Sequence, residues 1–130
     1  MVDPNTFAEI KERISVLIDT FFQQETTAQE RKQILAEIEQ FPDHLAGALF
    51  GVIAHPYTFE LENKPYTLEY RTTYHLNTFK SEYQINLYRG HGEDKQLFRQ
   101  ETDTNIRKTY IRFLKLVDAV KDDNFDINKY

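Results

Sequence analysis

The stretch that decides the fold is residues 57–88, YTFELENKPYTLEYRTTYHLNTFKSEYQINLY. Apolar and aromatic side chains recur in it at every second position, and six of the eight tyrosines of the chain fall within it. Before Pro56, and again from Thr102 or Asp103 onward, they recur every three or four positions. A period of two indicates strands, and a period of about 3.6 indicates helices. The order of helices, strands and a last helix predicts an α+β fold.

The segment before this block predicts three helices. Asp3 followed by Pro4 can start the first, because the carboxylate caps free amides and proline has its φ already set. Thr27 and Glu30 have the spacing of a capping box and open the second. The third covers Asp43 to His55 and is apolar over more than half of its circumference, so we expect it to be buried. The apolar stripes are Phe7, Ile10, Ile14, Leu17, Ile18 and Phe21 in the first helix and Ile34, Leu35, Ile38 and Phe41 in the second.

The first hairpin of the block closes at Asn63-Lys64 if this pair forms a two-residue turn. Leu61 then lies opposite Tyr66, and the two further rows of the hairpin are apolar or aromatic as well. A turn-rich stretch, Arg89 to Asp94, precedes another strand at Lys95–Gln100. The block therefore predicts an antiparallel β-meander of four to five strands with one apolar face.

The second hairpin, with a connection at Phe79–Glu82, predicts the composition of both faces. Leu76 would lie opposite Ile85 on the apolar face, and His75 opposite Asn86 on the other. The second face is rich in uncharged hydrogen-bonding groups, which suits a small-ligand platform or an enzyme with His75 as the proton carrier. A plain solvated face is the interpretation that the pattern favours. The residues of the ligand-binding alternative are Arg71, Thr73, His75, Asn77, Gln84, Asn86 and Tyr88.

The C-terminal helix is predicted by an apolar stripe that runs from Ile106 to Val120, and we expect it to pack on the sheet. The tail, residues 122–130, is polar and should be frayed. Beside the stripe lie Lys108, Arg112 and Lys115, a basic line of the kind that nucleic-acid-binding helices carry. The acids elsewhere in the chain favour a solvated face instead, or an intramolecular partner for the acidic first helices.

The composition excludes several kinds of site. The chain has no cysteine, which removes disulfides, thiolate catalysis and zinc–thiolate centres. Its four histidines lack the spacing of a metal site, so we predict neither a metal nor a cofactor. No nucleophile or phosphate-loop pattern is present, and the sequence names no catalytic residue. At 130 residues the chain fits one α+β domain, residues 1–130.

The net charge of −5 lies in residues 1–56, which hold nine acids and four bases. Such a surface repels nucleic acid and favours a basic protein partner. With no secretory signal and no apolar run of membrane-spanning length, we expect a cytoplasmic protein that does not enter a membrane. The leading hypothesis is a non-catalytic, acidic interaction protein that binds one protein partner in an immunity, adaptor or chaperone-like role, with a homo-oligomer left open. Its expected contact residues are Glu30, Glu37, Glu39 and Tyr88.

Overall fold

The computed structural model describes residues 4–41 and 56–127, whose elements follow the predicted order. The helices are α1 (Pro4–Phe22), α2 (Ala28–Glu39) and α3 (Ile106–Lys121), and the strands are β1 (Pro56–Leu61), β2 (Lys64–His75), β3 (Lys80–Arg89) and β4 (Gln96–Asp103). The α+β class and the antiparallel sheet are confirmed. The described residues contain two helices before the sheet and four strands, and the third predicted helix, Asp43 to His55, lies outside them.

Side-chain caps begin the second and third helices. The Glu30 backbone N–H donates to Thr27 Oγ1 at 3.1 Å, which confirms the N-terminal cap of α2. α3 begins after Asn105, whose Oδ1 accepts from the Lys108 backbone N–H at 2.9 Å. The helical period was predicted to resume at Thr102 or Asp103, but β4 continues through both residues because they still pair with β3.

The sheet is a meander in the order β1-β2-β3-β4. Its first hairpin turns at Glu62-Asn63, one residue earlier than predicted, with φ angles of 52° and 66°. Both angles are left-handed, as in the turns that match the twist of paired strands. Leu61 therefore lies opposite Lys64, and Phe59 lies opposite Tyr66. The correction shifts the register by two positions, so every side chain stays on its predicted face.

The second hairpin closes through residues 76–79, three positions before the predicted connection. His75 therefore lies in the last row before the turn and not opposite Asn86. Ile85 lies opposite Tyr70. Apolar residues, Leu76 and Phe79, stand at both ends of the observed connection, and neither is a typical turn residue. The register error is six positions, an even number, and Ile85 accordingly stays on the dry face, where it is buried.

α3 lies between the sheet and α2 and is therefore buried on two sides. Its Tyr110 ring meets the Tyr70 ring of β2 edge-on, with 5.0 Å between the centroids. Burial raises the pKa of Tyr70 to about 12 and also raises the pKa of Tyr110. The buried apolar residues form one cluster, comprising Ile14, Leu17, Ile18, Phe21, Ile34, Leu35, Ile38, Tyr66, Leu68, Tyr70, Ile85, Leu87, Tyr110, Ile111, Phe113, Leu114, Leu116 and Val117.

A buried ion network joins the turn between α1 and α2 to the end of α3. The Arg31 side chain is 5% exposed, with Nε 2.7 Å from Asp118 Oδ1 and Nη2 2.6 Å from Asp122 Oδ1. Its Nη1 donates to the Thr26 carbonyl at 2.6 Å. Each side of the guanidinium thus has an acceptor, which is the condition under which a buried charge is tolerated.

A second cation from α3 reaches the same turn. Lys121 Nζ donates to the Phe21 and Gln23 carbonyls at 3.0 and 3.1 Å. Burial lowers the pKa of Lys121, and the nearby Arg31 guanidinium lowers it further. A side chain of α3 thus binds a carbonyl in the last turn of α1 and the Gln23 carbonyl, which also accepts from the Thr26 N–H at 3.2 Å.

The tail after α3, predicted to be frayed, contains an anchored side chain in its described part. Phe125 is half-buried, and its ring meets Phe59 of β1 edge-on at 5.7 Å between centroids. The Asn124 backbone N–H donates to the Ala119 carbonyl at 2.8 Å, so the backbone folds back after the helix. A polar composition does not reveal a single aromatic anchor of this kind.

Candidate functional site

β2 and β3 continue beyond the rest of the sheet as a two-stranded hairpin, residues 71–82, which we call the arm. The pairing of β1 with β2 ends at Glu69, and the pairing of β4 with β3 ends at Tyr83. Within the described residues, no third strand pairs with the arm. Its turn lies about 17 Å beyond Tyr70 at the usual rise of a strand. The arm is therefore separated from the hydrophobic core, to which Tyr70 belongs.

The tip of the arm exposes apolar side chains. Leu76 is 75% exposed, Phe79 78% and Tyr74 53%. Phe79 also has a φ of 55°, a left-handed conformation that costs a non-glycine residue about 1–2 kcal/mol. Glycine or asparagine takes this conformation more readily, and the Phe79 ring gains no burial in compensation. Backbone strain together with exposed apolar surface is typical of a binding site.

One face of the arm carries a small polar cluster around Glu82. His75 Nε2 lies 3.5 Å from Glu82 Oε2, and Gln84 Nε2 donates to Glu82 Oε1 at 3.1 Å. The carboxylate is thus engaged on both oxygens by neighbours on the same hairpin. The members of the predicted ligand face that lie on the arm or at its base are Arg71, Thr73, His75, Asn77 and Gln84, of which Asn77 belongs to the turn.

The two other members, Asn86 and Tyr88, lie in the middle of the sheet, about 20 and 26 Å along the strands from His75. Glu69 Oε1 accepts hydrogen bonds from Asn86 Nδ2 and from the Tyr88 hydroxyl, both at 3.3 Å. Burial raises the pKa of Tyr88, and the Glu69 carboxylate raises it further. The predicted ligand face therefore runs continuously along the strands, with its side-chain hydrogen bonds centred on two carboxylates, Glu82 and Glu69.

The group around Glu69 is internally satisfied. Lys95 Nζ lies 3.9 Å from Glu69 Oε2 and 4.5 Å from the centroid of the Tyr88 ring. Gln100 Nε2 donates to Asn86 Oδ1 at 2.8 Å, and Asn86 is only 2% exposed. Polar side chains that bind one another and cover one another present few free groups to a ligand.

The three glutamates expected to contact a partner all have partners within the chain. Arg13 donates to both carboxylate oxygens of Glu37, from Nε at 2.9 Å and from Nη2 at 3.0 Å. The hydrogen bonds from Arg13 lower the pKa of Glu37. Glu39 lies 2.9 Å from Lys115 Nζ, and the Glu30 carboxylate accepts from the cap hydroxyl of α2 at 3.0 Å. The acidic surface of α2 is thus partly neutralised by α1 and α3.

The basic line of α3 is paired as well. Lys108 Nζ lies 3.5 Å from Asp103 Oδ2, and Arg112 Nη2 lies 3.4 Å from Glu101 Oε1. The backbone N–H of the residue that caps α3 lowers the pKa of Asp103. These pairs and Lys115 line a groove of about 880 Å³ between α3, β4 and the end of α2. The sequence offered the acidic first helices as intramolecular partners of this line, but only Lys115 finds one there, Glu39, and β4 supplies the other two carboxylates.

Three broader observations complete the description. Within residues 4–41 and 56–127, no group of three or more histidines and acids is arranged to hold a metal ion. None of the helices described is both long and apolar enough to cross a membrane. Comparisons of the chain with protein-family models, with curated proteins and with solved structures found no match. The arm and the charges of this chain are therefore the features that point to a function.

Proposed function

We propose that the protein is a non-catalytic interaction protein that binds one protein partner, and that the arm is its contact element. The observation that carries the proposal is the tip, where Leu76 and Phe79 are largely exposed and Phe79 is held in a left-handed conformation. Side chains so far from the core contribute nothing to it. Burial of each in a partner would contribute about 1.5–3 kcal/mol.

The shape of the arm favours a protein over a small molecule as the partner. Small-ligand sites are concave and enclose most of the ligand, whereas the arm projects from the sheet. An exposed aromatic side chain at the end of a hairpin suits insertion into a pocket of another protein, where aromatic anchors commonly dominate the binding energy. Because Glu30, Glu37 and Glu39 are held by the chain itself, we assign the contact to the arm and not to these acids.

The experiment compares the natural chain with the arm variant Leu76→Ser/Phe79→Ser. The matched control is Val16→Ser, since Val16 is an exposed apolar residue that belongs to α1 and not to the arm. Proteins that co-purify stoichiometrically from the native host are identified, and the binding of the purified partner is then measured by calorimetry. Loss of two anchors should weaken binding by at least about 100-fold, while the control stays close to the natural chain.

Circular dichroism first establishes that both variants are folded. Equal binding by the natural chain and the arm variant would overturn the assignment to the arm. Failure to recover any stoichiometric partner, whether another protein or a second copy of the chain, would overturn the proposed function itself.

A further inference from the structure

We infer that the arm pairs with the arm of a second copy of this chain, through the free edge of β2. The inference rests on the proposed function, because it names the partner of the same element. β1 pairs with β2 only as far as Glu69, so Tyr70 to His75 have no strand beside them on that side within the described part of the chain. An unpaired strand edge is a template for another strand.

The two outer edges of the sheet carry several features that discourage such pairing, whereas the free edge of the arm carries Arg71 alone. β1 begins with Pro56 and carries Glu60 at its edge. β4 has a register irregularity beside Leu87 and Tyr88, and it is rich in charged residues. Residues 70–75, Tyr-Arg-Thr-Thr-Tyr-His, contain no proline, glycine, lysine or acid. Edge strands of monomeric proteins are usually protected by such residues, so their absence here indicates an edge that is used.

The hydrogen-bond pattern of the sheet shows which backbone groups face this edge. Lys64 flanks a two-residue turn and is therefore in a row that is hydrogen-bonded to β1. Pro65 faces the other way, since its carbonyl accepts from the Gly90 N–H at 2.8 Å. By alternation, the N–H and C=O groups of Thr72 and Tyr74 point to the free edge. Two antiparallel copies would exchange four hydrogen bonds through these residues.

Symmetry and space determine the register. Residues directly opposite each other in an antiparallel pair point to the same face of the sheet. Two identical strands related by a two-fold axis meet this condition only when the axis lies between the two copies of one residue. An axis at Thr72 would place Leu76 level with Leu68, where β1 already lies. An axis at Thr73 places Leu76 level with Tyr70, the first position that β1 leaves free. The geometry therefore favours Thr73 opposite Thr73.

This register gives the exposed side chains of the arm new neighbours. Tyr74 would lie opposite Thr72 of the second copy, and the two Thr73 side chains would lie side by side, a favourable pairing across strands. Leu76 would lie beside Tyr70 at the edge of the apolar face. The free edge thus fits a second copy of itself in length and in side-chain type, which is the requirement for a two-fold interface.

The first test uses sedimentation equilibrium over a range of protein concentrations. The natural chain should move from 15.5 kDa towards twice this mass as concentration rises. Thr72→Pro removes an N–H to which no strand among residues 4–41 and 56–127 is paired, so it should weaken dimer formation by at least about 100-fold. The matched control is Thr58→Pro, which removes an outward-facing N–H from β1 and should dimerise like the natural chain.

The second test does not depend on the folding of a proline variant. The chain has no cysteine, so Thr73→Cys introduces a single thiol. Residues opposite each other in a row without hydrogen bonds have Cα atoms about 4.5 Å apart, within disulfide range. Mild oxidation should therefore convert Thr73→Cys to a covalent dimer much faster than Thr58→Cys, whose thiol lies on β1 away from the axis.

A natural chain that stays monomeric at high concentration, or a dimer that persists in Thr72→Pro, would overturn this inference. So would cross-linking of Thr73→Cys that is no faster than that of Thr58→Cys. If the chain is monomeric but binds a different protein through Leu76 and Phe79, the proposed function stands while the inference about the partner fails.

Discussion

Nε of Arg31 in α2 lies 2.7 Å from Oδ1 of Asp118 in α3, and the pair spans 87 positions of the sequence. Arg31→Ala should be strongly destabilising, because it leaves two carboxylates near the interior without their cation. Removal of one partner from a buried ion pair costs about 3–5 kcal/mol. Urea unfolding measures this loss as a lower midpoint with an unchanged slope.

The control is the exposed ion pair between Arg13 and Glu37. Arg13→Ala removes a guanidinium of the same kind, but pairs at the surface contribute about 1 kcal/mol or less. Similar losses of stability in Arg13→Ala and Arg31→Ala would contradict the explanation that burial makes the Arg31 ion pairs costly to break.

A second prediction concerns alkaline pH and the buried tyrosines. Burial raises the pKa of Tyr70 to about 12, whereas tyrosine in an unfolded chain ionises at about 10. Above pH 10 the unfolded state releases a proton that the folded state retains, so stability falls as pH rises. The contribution of Tyr70 to the free energy of unfolding is fully present below about pH 10, and about 3 kcal/mol of it is lost by about pH 12. Denaturant unfolding over this range should give a smaller decline for Tyr70→Phe than for the natural chain.

A third prediction concerns the polar group in the middle of the sheet. Glu69 accepts the Tyr88 hydroxyl and disfavours its phenolate, so Glu69→Gln should lower the pKa of Tyr88 towards its ordinary value. Titration followed by the ring-carbon NMR signal of Tyr88 measures the change at this residue alone. Glu62→Gln, on an exposed turn, is the matched control and should leave the pKa of Tyr88 where it is.

A fourth prediction separates stability from binding at the tip of the arm. Phe79→Gly relieves the left-handed strain at the end of the turn, so the free energy of unfolding should rise by about 1 kcal/mol. The same change removes the largest exposed apolar side chain of the arm and should weaken partner binding. Thermal unfolding and calorimetric titration measure the two effects. A less stable variant with unchanged binding would refute both parts.

The faces of the sheet could be read from the sequence more reliably than its register. Alternation placed Leu68, Tyr70 and Ile85 on the dry face, and all three are buried. Tyr74 and Leu76, placed on the same face, are exposed because the arm extends beyond the core. The register depends on where each hairpin turns, and neither turn contains glycine. Glu62 and Phe79 adopt left-handed φ angles that their residue types disfavour, so turn preferences pointed elsewhere. Both register errors were an even number of positions. Each side chain therefore kept its predicted face of the sheet but was placed opposite the wrong residue.

A second limit on prediction from the sequence concerns contacts between residues that are far apart in the chain. The cap of α2 was predictable because Thr27 and Glu30 are neighbours in sequence. The bond between Arg13 and Glu37 joins two helices, and no local pattern reveals it. The same holds for Asn86, which looked exposed by alternation but is covered by side chains of adjacent strands. Long-range packing decides which polar residues remain available for function.

The attachment of Lys121 and Arg31 to the turn after α1 also has a consequence for synthesis on the ribosome. The Phe21 and Gln23 carbonyls are synthesised early. The Lys121 ammonium group that binds them belongs to α3 and is synthesised 98 to 100 residues later. α1 and α2 therefore emerge from the exit tunnel of the ribosome before α3, which binds them, has been synthesised. Their final docking must wait until residues 118–122 have been synthesised.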